Sequence, residues 1–383
     1  MTQTRRAVVM TAPHQPLEVH EIPVPHLEPG AARLRVLYSE VCGTDVHLHH
    51  GRLSGIPYPI IPGHVSVGEI EELGGPISDV EGRPFRLGDR VTFLDVHETC
   101  GRCFHCLVTR QSTRCPHRKV YGITYPATEG LLGGWAEALW VKPGVHMLRL
   151  PESLDAESFI GGGCGLVTAM HAVERAAIHL GDSVAVLGAG PVGQSIVALA
   201  ALSGADHVVA IGDPPSRLAF AQRMGATHTF DLGVPPDARE EAVRALTNGF
   251  GVDVVIEASG APDAVSQALD LVRDGGRVVV CGHYSDNGDV RIHPHWQINR
   301  KHVELRGCWG SDFSHFHRAL RVAAKHAPHV PWREMVGRAW GLDEANEALA
   351  AVERREVTKA LIDPSLRQAS RKVPLDRNPA ASR

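Results

Sequence analysis

Val184-Ala185-Val186-Leu187-Gly188-Ala189-Gly190-Pro191-Val192-Gly193 leads through an apolar helical pattern (Ile196, Val197, Leu199, Ala200) into Val208-Val209-Ala210-Ile211-Gly212-Asp213. A short apolar run enters a G-x-G-x-x-G turn, a helix follows, and a second apolar run ends in a carboxylate. Each part suits a dinucleotide. Gly188 permits a tight turn, Gly190 lets the backbone approach a pyrophosphate, and Gly193 lets helix and strand pack closely, with Val192 in the same turn. The helix start offers free N–H groups and a positive dipole end to the phosphates. Asp213 lies twenty residues after Gly193, where it can accept both ribose hydroxyls. This favours NAD over its 2′-phosphorylated form, whose extra charge the carboxylate would repel. Arg217 is the nearest cation, within reach of a phosphate only if the loop folds back. A G-x-G-x-x-G alone is weak evidence. The whole series far outweighs the alternative of a Gly-rich helix start in an unrelated α/β domain.

A chain of 383 residues suggests two or three domains, and 43% hydrophobic content is enough for real cores. A net charge of -4 supplies no global field for nucleic acid or an anionic membrane. The start, Met1 to Arg6, has basic residues without an apolar stretch behind them, and no apolar run approaches a membrane span. The expectation is a soluble, cytoplasmic protein with neither nucleic acid nor membrane as partner. Eight cysteines are too few for a disulfide scaffold in so long a chain, and their clustering points to metal.

Residues 6–41 alternate short apolar runs with Pro and Gly. Leu34, Val36 and Tyr38 interleave with Arg33, Arg35 and Ser39, as in an antiparallel sheet with one wet face. Similar runs at Val65–Leu73, Asp89–Leu94 and Ala136–Val141 predict a mostly β region, a partly open barrel, over residues 1–155. From Ser158 to Leu180 the pattern is helical. β–α repeats follow at Val184–Leu187, Val208–Ile211, Val254–Ile256 and Val278–Cys281, predicting a doubly wound parallel sheet over 156–300. Residues 301–364 read as strand, two helices and strand, returning to the first domain. The polar, basic stretch 365–383 reads as a disordered tail.

Cys100, Cys103, Cys106 and Cys115 form C-x2-C-x2-C-x8-C. Four thiolates on one short loop suit tetrahedral zinc with no open position, hence a structural site. Arg102, Arg110, Arg114 and Arg118 lie near enough in sequence to offset its negative charge. Four buried free cysteines within so short a span are the weaker reading. Cys42, His64 and Cys164 are scattered. Each alone has an ordinary reading, as a strand-end core residue, a loop histidine and a helix-start packing residue.

Taken together, the motifs resemble the medium-chain, zinc-dependent alcohol dehydrogenases over nearly all of residues 5–363. The matching residues are Cys42-Gly43-Thr44-Asp45-Val46-His47, Gly63-His64, the four-cysteine lobe, Gly133-Gly134-Trp135-Ala136-Glu137, Gly163-Cys164-Gly165 and the dinucleotide fingerprint, in this order. The resemblance implies an α/β protein: a Rossmann doubly wound parallel sheet beside a mostly β, GroES-like catalytic domain. It implies two zinc ions per chain and NAD. Cys42, His64 and Cys164 would bind the catalytic zinc, leaving a fourth position for substrate. Asp45 resembles the acid that orients the zinc-bound histidine. Thr44 and His47 resemble a proton relay, and Thr168, one turn after Cys164, a contact to the nicotinamide. Plainer readings are a strand-end cap for Thr44, an exposed histidine for His47, a turn residue for Asp45 and a packing threonine for Thr168. Two departures stand out: Val65 replaces the usual glutamate after the G-H histidine, and the four-cysteine loop is one residue longer than usual.

The activity so implied is hydride transfer between NAD and an alcohol/carbonyl pair by a homodimer or homotetramer. Polar residues in stretches that line the cleft of relatives (Asp95, His97, Tyr121, Tyr125, His293, His295, Trp296 and Asn299) favour a secondary or polyhydroxylated alcohol, such as a sugar-derived polyol or cyclitol. Simple primary or aromatic alcohols are the alternative. A zinc-free reductase of the same superfamily would lack Cys42, His64 and Cys164. A non-enzymatic NAD-binding protein would not need Thr44 and His47.

Overall fold

The computed structural model describes residues 3–367 and 371–372. Packing divides the chain into two units. The first holds residues 1–163, 312–328 and 332–383; the second holds 164–311 and 329–331.

The first unit is built on an eight-stranded sheet ordered Arg371–Lys372, Val336–Trp340, Lys359–Ile362, Ala32–Val41, Ser66–Leu73, Arg90–Phe93, Met147–Arg149, with Ala138–Val141 also paired to Ala32–Val41. Ala32–Val41 is its spine, because three other strands pair with it. Its alternation holds from Ala32 to Val36, with Leu34 and Val36 buried and Arg35 exposed, but fails further on, where Ser39, read as wet-facing, is buried and Tyr38 only half-buried. Ala32, Leu34, Ile70, Phe93, Leu139 and Val141 share one core, while Ser39 and Glu40 at the end of the strand are buried polar residues. Fully burying each large aliphatic side chain there contributes ~1.5–3 kcal/mol. A second core joins Val41, Leu48, Trp135, Leu349 and Ile362. It ties the helix Gly43–His49 and the helix Ala345–Glu353 to the sheet end where the functional residues lie.

The second unit has a six-stranded sheet ordered His228–Asp231, His207–Gly212, Ser183–Leu187, Val252–Glu257, Val272–Val280, Glu304–Gly307. Every pairing in it is parallel. Val184, Ala185 and Val186 are wholly buried, as expected of a central strand covered on both faces.

The structure departs from the expected boundaries in three places. Glu304–Gly307 was read as part of a return to the first domain; it is the edge strand of the second, in register with Arg277–Val280. Its charged residues fit an edge, where one face meets water. The helical pattern read over Ser158–Leu180 runs Ala156–Ala176 and breaks at Gly163. Finally, within the tail expected at 365–383, Arg371 and Lys372 pair antiparallel with Arg338 and Ala339, so these two residues are a strand; most of that stretch lies outside the described residues. The sheet also contains a strand the pattern hid, His228–Asp231, whose residues are only half-buried at the opposite edge.

Candidate active site and metal centres

Cys42 ends the spine strand and caps the helix Gly43–His49. Asp45, three residues on, accepts the Cys42 backbone N–H through Oδ2 at 2.9 Å. His64, in the turn before Ser66–Leu73, sets Nε2 3.8 Å from Cys42 Sγ. Its other nitrogen, Nδ1, lies 4.0 Å from Asp45 Oδ1. Asp45 therefore braces one candidate ligand through its backbone and faces the other through its ring. Cys164 follows Gly163 by one peptide bond, and the donor atoms of Cys42, His64 and Cys164 all lie within 4.8 Å of one another.

The charges here call for a cation. Burial opposes a charged His64 ring, yet Cys42 and Asp45 overcome it and hold the ring at about 10. Burial and the neighbouring Cys42 push Asp45 well above the usual carboxylate range. Burial also raises Asp95, which sits close enough to interact with His64. A zinc ion with sulfur at ~2.3 Å and nitrogen at ~2.0–2.1 Å in tetrahedral array separates those two donors by ~3.6 Å, close to the Cys42–His64 spacing. The donor set fits zinc.

The four-cysteine lobe passes the same test more fully. Its sulfurs lie within 4.8 Å of one another. Cys103 and Cys115 are 4.0 Å apart, and Cys115 and Cys100 3.7 Å. Tetrahedral zinc holds thiolates ~3.8 Å apart. The Arg102 backbone N–H and neighbouring thiols draw Cys100 down to about 6, while partial desolvation and the Cys103 thiol push Cys106 up to about 11. Thiols so crowded cannot all ionise without a cation among them.

In the second unit the fingerprint turn is shaped for phosphates. Gly188 has φ +121°, a conformation side chains disfavour. A Cβ on Gly193 would lie 1.8 Å from the Gly188 carbonyl oxygen, whereas one on Gly190 would meet nothing within 4 Å. Gly193 thus serves internal packing, and Gly190 keeps an approach open. The helix Pro191–Leu202 starts at Gly190 with no side-chain cap, so its first N–H groups face outward beside Val192. Gly165 packs against Pro191 at the head of that helix, with Thr168, half-buried, one turn further along its own. Asp213 directly follows His207–Gly212 and is exposed; Arg217 sits in the first turn of the helix Pro215–Met224.

Sequence reading passed over Gln194. Its buried amide donates to the carbonyls of Ala189 at 3.3 Å and Arg217 at 2.8 Å, tying the fingerprint turn to the loop that carries Asp213. A glutamine directly after the last fingerprint glycine was the available signal. Thr44 and His47 are half-buried on the helix after Cys42. Burial, then Arg52, lowers the His47 pKa, so its ring is neutral at pH 7 and able to accept a proton. Among the polar lining candidates, Tyr121 and Tyr125 belong to the first unit's core. His97 places Nδ1 2.9 Å from Tyr125 Oη and Nε2 3.0 Å from the Pro143 carbonyl oxygen, and Tyr125 donates to Glu98. The Tyr121 hydroxyl accepts the Lys142 N–H at 2.8 Å, so these polar atoms find partners inside the first unit. His293, His295, Trp296 and Asn299 lie on one short helical turn around Pro294–Asn299, with Trp296 exposed.

Two family models match the chain: the alcohol dehydrogenase GroES-like domain over residues 28–152 and the zinc-binding dehydrogenase over residues 191–325. Over 372 residues the chain is 32% identical to 5-exo-hydroxycamphor dehydrogenase of Pseudomonas putida, covering 95% of this chain and all (100%) of that protein. It is 32% identical to sorbitol dehydrogenase of Bacillus subtilis over 74% of this chain and 77% of the relative. An alcohol dehydrogenase structure from Thermotoga maritima superposes with a TM-score of 0.91 at 30% identity, covering 95% of this chain and 100% of the other. With these full-length matches added to the two donor clusters and the dinucleotide turn, the chain belongs to the zinc-binding, medium-chain alcohol dehydrogenase family.

Proposed function

We propose that the chain oxidises a secondary, polyhydroxylated alcohol to its carbonyl with NAD as hydride acceptor, and runs the reverse reduction with NADH. The observation that carries this reading is the gathering of Cys42, His64 and Cys164 donor atoms within 4.8 Å. Three protein ligands are what a catalytic zinc uses, with the fourth position left for substrate. When bound, zinc supplies Lewis acidity toward the hydroxyl oxygen, and NAD the hydride acceptor.

The chain's own residues do the rest. Asp45 fixes the His64 ring so that Nε2 points away from the carboxylate and toward the metal position. Thr44 and the neutral His47 carry the alcohol's proton outward. Gly188, Gly190, Val192 and Gly193 cradle the pyrophosphate at a helix N-terminus. Asp213 accepts the ribose hydroxyls and repels a 2′-phosphate, Arg217 borders that position, and Thr168 contacts the nicotinamide. The second zinc is held by Cys100, Cys103, Cys106 and Cys115 and stabilises its lobe. A secondary alcohol is supported by the relative named for 5-exo-hydroxycamphor, and a polyhydroxylated one by the relatives named for sorbitol and for erythritol and L-threitol. The latter is supported too by Asp95, half-buried and close enough to interact with His64. We assign a homodimer or homotetramer in the cytoplasm. None of the eight cysteines forms a disulfide among the described residues, and thiolate ligands persist where thiols are kept reduced.

The test combines zinc analysis with a substrate panel followed by NADH absorbance. We expect two zincs in the wild type, one in a folded and inactive Cys164→Ala, and lowered stability in Cys103→Ala. The highest kcat/KM should fall on a polyol or cyclitol. A zinc-free wild type overturns the metal assignments. Faster turnover of aliphatic or benzylic alcohols overturns the substrate class.

A further inference from the structure

Beneath the candidate metal site lies an ion pair with no exposure at all. Lys359 Nζ sits 2.7 Å from Glu40 Oε1, and both side chains are 0% exposed. Two ions cost several kcal/mol each to desolvate, so a pair this deep needs further hydrogen bonds to persist. Lys359 has them: Nζ also donates to the carbonyls of Gly162 at 2.9 Å and Ile160 at 3.3 Å. These carbonyls belong to the helix Ala156–Ala176 where it breaks at Gly163, with φ 45° and ψ -140°. The break takes them out of the regular helical ladder, and the ammonium receives them. The fit is close, since a Cβ on Gly163 would lie 2.0 Å from Glu40 Oε2 and 2.7 Å from Lys359 Nζ.

The pair's location adds meaning to its depth. Glu40 is two residues before Cys42 on the same strand. Its backbone N–H donates to the carbonyl of Val65, the residue after His64, at 2.9 Å. Its own carbonyl accepts from Trp135 Nε1 at 2.9 Å. Through Lys359 its carboxylate grips the helix break that Cys164 immediately follows. All three ligand-bearing segments are fastened to one residue.

We propose that Glu40 and Lys359 are positioning residues for the catalytic metal, holding the break at Gly163 so that Cys164 meets Cys42 and His64. This rests on the metal assignment made above. Zinc release to a chelator, followed with a chromogenic indicator on the full-length holoenzyme, separates the two. Cys164→Ala and Cys103→Ala identify which release phase belongs to each zinc. In Lys359→Met the catalytic phase should quicken about 10–100-fold, the usual effect of removing a group that orients a ligand, while the four-cysteine phase keeps its rate. Because a lone buried Glu40 can prevent folding, the double variant Glu40→Gln/Lys359→Met is the decisive one. It leaves no unpaired charge, so its melting temperature should recover toward wild type while its catalytic zinc still leaves quickly. A double variant that releases zinc at the wild-type rate, or one that speeds both phases equally, makes the pair a plain fold stabiliser and overturns the proposal. If Cys164→Ala removes no phase from the wild type, the metal assignment itself fails and takes the proposal with it.

Discussion

Asp45 Oδ1 stands 4.0 Å from His64 Nδ1, and neither atom has a hydrogen-bond partner among the described residues. The carboxylate's other oxygen is occupied by the Cys42 N–H. The two functions of Asp45 can therefore be separated. Asn keeps an oxygen for the Cys42 N–H but turns a donor toward His64. Asp45→Asn should fold normally and bind the catalytic zinc about 10–100-fold more weakly, measured by chelator competition against the unchanged four-cysteine site.

The two fingerprint glycines should respond oppositely to the same substitution. Gly193→Ala drives a methyl against the Gly188 carbonyl and should destabilise the protein by ~1–3 kcal/mol. Gly190→Ala meets open space and should cost at most about 1 kcal/mol as a poorer N-cap. It should still weaken NAD binding about tenfold, ~1.4 kcal/mol. Thermal melts and NAD titrations on both variants check the contrast. Equal NAD affinity in Gly190→Ala and wild type would remove the pyrophosphate from this turn.

His47 supplies a pH prediction with a definite sign. Its lowered pKa means that the ring is neutral at pH 7 and becomes charged, losing its acceptor capacity, only as pH falls below the ordinary histidine value. Wild-type alcohol oxidation should therefore hold through neutrality and decline on the acid side. His47→Gln should slow the reaction about tenfold or more at pH 7, with partial recovery at higher pH or with added buffer bases. An unchanged rate and profile excludes His47 from the proton path.

Cofactor choice should rest on Asp213. Replacing it by Ser removes the charge that repels a 2′-phosphate, and should raise kcat/KM for NADP relative to NAD about tenfold, ~1.4 kcal/mol. A wild type that prefers NADP, or a serine variant with no relative gain, shows that another group, with Arg217 nearest, makes the selection.

The fold class was legible because its deciding strands are central. Val184–Leu187 and Val208–Ile211 must be apolar on both faces, and they match the observed Ser183–Leu187 and His207–Gly212 within a residue or so. The edge strands were less legible: His228–Asp231, polar where it meets water, left no strand pattern, while Glu304–Gly307 read as a strand but of the first domain. Among the site residues, the thiols and His64 were readable only as a joint set, since nothing local joins Cys42 to Cys164. Tyr121 and Tyr125 misled because a hydroxyl suggests a binding surface, whereas Lys142 N–H and Glu98 satisfy theirs inside the first unit. Glu40 and Lys359 left no trace in the pattern. A charged residue in a strand reads as a solvent-facing position, and only the folded chain shows the opposite charge arriving from near its far end.

The four-cysteine lobe bears on the order of folding. All its sulfurs come from the short span Cys100–Cys115, and the helix Phe104–Leu107 within it buries no residue. Little hydrophobic collapse is there to hold it, and closing such short loops costs little entropy. Capture of zinc can therefore shape this segment on the ribosome, before the strand Met147–Arg149 or anything after it has been synthesised. A zinc held there would close the lobe while the sheet still awaited Lys359–Ile362, more than two hundred residues later in the sequence, to pair with its spine.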